Sequence, residues 1–124
     1  MLLAQADRLG VKVRWHQPSE TTGMHAVYQA PPGRPGLLIL HASQPPAANA
    51  AELCTLMAHE MVHVLQHWHS GFQAVLPLGW PTDGAAIRNT KLSLHEKEAF
   101  SAQNQPELVL QELKRLNPPN NGEH

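Results

Sequence analysis

AAELCTLMAHEMVHVLQHWH, residues 50 to 69, is the stretch on which the fold turns. It holds no proline or glycine, and Leu53, Met57, Met61, Val64 and Trp68 recur at helical spacing. Asn49 precedes it as an N-cap with Glu52 three residues on, and Gly71 follows as a stop. A long helix is expected here. Its middle reads His59-Glu60-Met61-Val62-His63. Side chains four apart lie on one helical face, so both imidazoles can reach one ion. Glu60 lies about 100° round the axis from His59. From there it can take a proton from a water at the metal without ligating the metal itself. Zn2+ is the expected ion, bound by His59 and His63, with Glu60 catalytic.

A catalytic zinc needs a third protein ligand. His69 has the spacing of a longer HExxHxxGxxH motif, but Gln66 replaces the helix-breaking glycine. On an unbroken helix His69 sits about 15 Å along the axis from His59, out of reach. His67 continues the His59–His63 face and overshoots, which suits a supporting or surface histidine. The other candidates are Glu96 and Glu98, within His95 to Gln103. They lie about 200° apart on a helix, so only one can face the ion. Ser93 and Glu96 also form a capping box, which would divert Glu96 to its own backbone and leave Glu98 as ligand.

In these residues the chain resembles the gluzincin group of zinc peptidases, and in size its minimal members, the minigluzincins. That resemblance spans about His59 to Gln103. It implies that the HExxH helix is completed by a glutamate from a following helix, within an E-x-x-A pattern. Glu96-Lys97-Glu98-Ala99 fits, with Glu96 as ligand and Glu98 as its rival. The chain departs at Phe100, where several gluzincins carry an acidic residue, so the acceptor behind a ligating histidine is unassigned. Asp83 is the only aspartate near enough in sequence. Tyr28 and His95 are candidate donors to a developing oxyanion. The resemblance also implies that Leu37 to His41 forms the sheet edge above the metal, able to align an extended peptide. Read on its residues alone, that segment is equally an interior strand.

Around this centre the rest reads as α+β. Leu2 to Leu9 suits a short helix ended by Gly10, and Val11, Val13 and Trp15 alternate with Lys12 and Arg14 as in a strand. Strands are also expected at His25 to Gln29 and Leu37 to Leu40, giving a small sheet of about three strands. Ser70 to Leu92 reads as a long loop whose apolar residues argue for order. A helix carrying the glutamates starts near Ser93, and Pro106 kinks or restarts it. Residues 1–116 are expected to form one zincin-like domain, and 117–124, rich in Asn and Pro, a disordered tail; the resemblance to the minigluzincins raises the alternative that this tail blocks the cleft.

Composition narrows the function classes. Nine Lys and Arg oppose ten Asp and Glu in 124 residues, which favours neither nucleic acid nor an anionic membrane. Cys54 is the only cysteine, excluding an internal disulfide and a Cys-based zinc site. It is expected as a buried, inert thiol. No stretch has the length of a membrane span, and MLLAQADRLG lacks the features of a signal peptide, which reads as cytoplasmic. The expected function is a zinc-dependent endopeptidase acting on a peptide or protein substrate. A non-catalytic zinc-stabilised binding module is the rival.

Overall fold

The computed structural model describes residues 2–18, 23–42, 50–82 and 92–118. Helix α1, Leu2–Arg8, stops where Gly10 adopts a positive φ of 80°. The Gly10 amide then donates to Asp7 and the Val11 amide to Ala6, the two bonds of a Schellman end. That turn launches β1, Lys12–His16, which is followed by β2, His25–Gln29, and β3, Leu37–His41. The strand order is β1-β3-β2, with β1 parallel and β2 antiparallel to β3.

This order corrects one expectation. Leu37 to His41 is the central strand and not the edge, and the edge nearest Glu60, His63 and Glu96 is β2. The physical reason is visible in its composition. Leu37-Leu38-Ile39-Leu40 is apolar on both faces, as suits a strand paired on both sides. Leu38 and Leu40 are fully buried on the inner face, while β2 alternates half-buried and exposed residues.

Against that inner face lies α2, Ala50–His69. From Met57 to His67 every residue is buried, so the helix is enclosed on all sides and serves as the axis of the core. It ends in a second Schellman turn. Gly71 is at φ 69°, its amide donates to Trp68, and the Phe72 amide donates to His67. The glutamate-bearing segment is α3, Leu94–Ala102, and Pro106 starts a separate helix, α4, Pro106–Lys114. Ala99, Ala102, Val109 and Leu113 complete the core. The small Ala99 and Ala102 allow α3 to approach α2 closely. Cys54 is exposed, contrary to expectation, because Leu53 and Met57 carry the buried face of the first α2 turns. Among the described residues no helix is long and apolar enough to cross a membrane. The Asn49 cap, Asp83 and residues 119–124 of the expected tail lie outside the described residues.

Candidate metal centre

His59 and His63 project from one face of α2 toward Glu96 on α3. Glu96 Oε1 lies 2.7 Å from His63 Nε2 and 3.2 Å from His59 Nε2. Their ligand atoms all fall within 4.8 Å of one another, and this is the one such His/Cys/Asp/Glu trio among the described residues. Both histidines are buried and Glu96 is partly exposed, so the three donor atoms converge at the wall of an open cleft.

The tautomers suit a cation. His63 Nδ1 lies 2.8 Å from Gln66 Oε1, and Gln66 Nε2 donates to the His95 carbonyl and to Glu98 Oε1. With both amide hydrogens of Gln66 so used, its oxygen faces His63 and can only accept. His63 therefore carries its hydrogen on Nδ1 and turns the Nε2 lone pair toward Glu96. His59 repeats the pattern, with Nδ1 at 2.8 Å from Gln103 Oε1. Two lone pairs and a carboxylate have nothing to donate to one another, and a metal ion satisfies all three.

Charge acts in the same direction. Burial lowers the pKa of His63, against the opposing pull of Gln66 and Glu96, and so favours the neutral, ligating imidazole. Partial burial tends to raise the pKa of Glu96, but in metal-free protein a protonated His63 or His59 outweighs it by charge and by donating to the carboxylate, and a cation between the three groups would act in the same sense. Glu60 is 7 % exposed. Its pKa rises from 4.5 to about 8, first through burial and then through the Glu96 charge, while the Tyr28 backbone N–H works the other way.

Glu98, the rival ligand, points elsewhere. It is buried, and its carboxylate accepts from the Leu78, Gly79 and Trp80 amides at 2.8, 2.6 and 3.0 Å and from Gln66. It thus pins the loop after α2 and, through Gln66, orients His63. The Ser93 capping box does not form. Ser93 makes no side-chain cap and its hydroxyl lies against His95, leaving Glu96 free for the histidines.

Three further candidates are relocated. His69 is exposed at the helix end and stands outside the ligand trio. His67 is buried and structural. Its Nε2 donates to the Pro31 carbonyl, and its Nδ1 accepts from the Tyr28 hydroxyl at 2.7 Å. That hydroxyl also accepts from the Gly36 amide, and burial pushes its pKa up to about 12. Tyr28 is therefore committed to the fold and not to an oxyanion. His95 does line the cleft, its ring 5.8 Å from that of His63.

The two glutamines are what sequence reasoning missed. Phe100 packs edge-on against His59 at 4.5 Å, and Gln103, seven residues beyond Glu96, supplies the acceptor. Seven residues are almost two whole turns, so Gln103 shares the face of Glu96. Gln66, three residues after His63, was legible by the same rule. The cleft itself holds about 270 Å³ between Ala26, Val27, Glu60, His63, Val75 and Glu96. Comparison with protein-family models, curated proteins and solved structures gave no match, so the character of this centre rests on its own geometry.

Proposed function

We propose that the chain is a zinc-dependent hydrolase, an endopeptidase in which His59, His63 and Glu96 hold the metal and Glu60 is the general base. The observation that carries this reading is the approach of Glu96 Oε1 to both Nε2 atoms, with Glu60 buried alongside. Zinc so held would acidify a water and polarise a substrate carbonyl. Glu60 takes the proton of the attacking water and passes it to the departing amine nitrogen. A buried carboxylate one residue from His59 on the same helix is placed for both transfers. Gln66 and Gln103 keep the imidazole hydrogens on Nδ1, away from the ion. His95 is the cleft side chain best suited to donate to the developing oxyanion.

The β2 edge gives the substrate its direction. The Tyr28 N–H points outward to Glu60, so by alternation the N–H and C=O of Ala26 also face the cleft. An extended peptide pairing there would present its carbonyl to the metal side. Purified Glu60→Gln protein tests the reading against a peptide library. Zinc content should stay at the wild-type level while cleavage falls by at least a hundredfold. Wild-type protein that holds zinc and cleaves nothing would instead fit the binding module.

A further inference from the structure

The second edge of the sheet has its own character. Among the described residues β1 pairs only with β3, and the bonds from the Lys12 amide to Gly36 and from the Ala42 amide to the His16 carbonyl fix which groups turn inward. The odd positions of the strand, Val13 and Trp15, therefore aim their N–H and C=O groups away from β3. Among the described residues nothing pairs with them. A groove of about 620 Å³ runs along this edge, walled by Leu3 and Asp7 of α1 and by every residue from Val11 to Trp15. No β2 or β3 residue lines it, which places it on the outer flank of β1.

Its chemistry is divided by the strand pleat. Lys12 and Arg14 stand on the exposed face, two residues and so about 7 Å apart, and neither makes an ion pair among the described residues. Val13 and Trp15 turn to the half-buried face beside Leu3. Arg8 and Arg34 line the adjoining cavity of about 840 Å³, which shares Lys12 and Arg14 with the groove and, among the described residues, has Asp7 as its one acid. Unpaired cations on an edge strand oppose pairing with an uncharged strand, whose arrival would strip their water. A strand bearing carboxylates at the same interval removes that objection.

We propose that β1 is a docking edge for an extended peptide segment with acidic residues at alternate positions and apolar residues between them. Its backbone pairs with Val13 and Trp15, its carboxylates meet Lys12 and Arg14, and its apolar side chains lie along Leu3, Val13 and Trp15. The site shares no lining residue with the metal cleft, and its existence does not depend on hydrolytic activity.

Fluorescence anisotropy on the full chain tests this with a labelled Glu-Val-Glu-Val-Glu-Val peptide and its Lys-Val counterpart. The acidic peptide should bind at least tenfold more tightly, and Lys12→Glu/Arg14→Glu should reverse the order while leaving zinc content unchanged. Two N-methylated acidic peptides, one methylated on every Val amide and one on every Glu amide, report on strand addition without altering the protein. One of the two should lose binding at least tenfold and the other should not, because only alternate amides face the edge. Equal binding by both would mean plain charge attraction and would overturn the proposal. So would preference for the Lys-Val peptide, or a β1–β1 dimer in sedimentation that the acidic peptide fails to dissociate.

Discussion

At Glu60 a carboxyl is buried beside another carboxylate, and the cost of that arrangement is measurable in metal-free protein. Its proton is held up to about pH 8 in the folded chain but only to its ordinary 4.5 once unfolded. Below pH 4.5 both states are protonated and the group costs nothing. Between 4.5 and 8 the unfolded state ionises first, so the folded state loses up to about 1.4 kcal/mol per pH unit. Thermal melts of chelated protein should show Glu60→Gln more stable than wild type at pH 8, with the gap closing toward pH 4.5. A gap that does not change with pH would contradict the assignment. Gly36 makes a second prediction at this scale. An added Cβ would run into the Gln29 carbonyl oxygen and approach the Tyr28 ring within 2.7 Å, at the residue whose amide holds the Tyr28 hydroxyl. Gly36→Ala should cost about 2 kcal/mol or more of unfolding free energy. Cys54, being exposed and clear of the centre, should accept alanine with no change in zinc content.

Among elements, the nine-residue α3 carries two roles, because its two glutamates face opposite tasks. Glu96 completes the trio and Glu98 anchors the loop at Leu78–Trp80 while orienting Gln66. Glu96→Ala should abolish tight zinc binding in a titration. Glu98→Ala should retain it at roughly 10- to 100-fold lower affinity, since the three ligands stay while the orientation of His63 and the anchor of the Leu78–Trp80 loop are lost. The reverse ranking would restore Glu98 as ligand. Helix α2 was legible almost to the residue, because an uninterrupted apolar pattern ended by Gly71 leaves few alternatives. The position of Leu37–His41 was not, because sequence reports how apolar a strand is but not which neighbours it takes. The choice between Glu96 and Glu98 stayed open for a related reason. A capping box and a metal ligand ask for the same residue type, and only the packing of α3 on α2 decides between them.

For the whole molecule, the nine histidines divide among different tasks. His59 and His63 join Glu96 in the trio that could hold a metal ion, and His67 ties α2 to the segment before β3. His16, His41 and His25 stack across the three strands in register, with ring centroids 5.2 and 4.2 Å apart, which the spacing of single residues along the chain did not foretell. The centre joins α2 to α3, so bound metal should stabilise the assembled fold. At zinc one hundredfold above its dissociation constant the gain is about 2.7 kcal/mol, visible as a rise in melting temperature that chelation reverses. The central claim, that His59, His63 and Glu96 hold a zinc ion, is tested most directly by anomalous diffraction at the zinc edge from zinc-loaded crystals. The account predicts one strong peak per chain, within ligand distance of His59 Nε2, His63 Nε2 and a Glu96 oxygen. A peak coordinated by Glu98, or no peak between the two histidines, would contradict it.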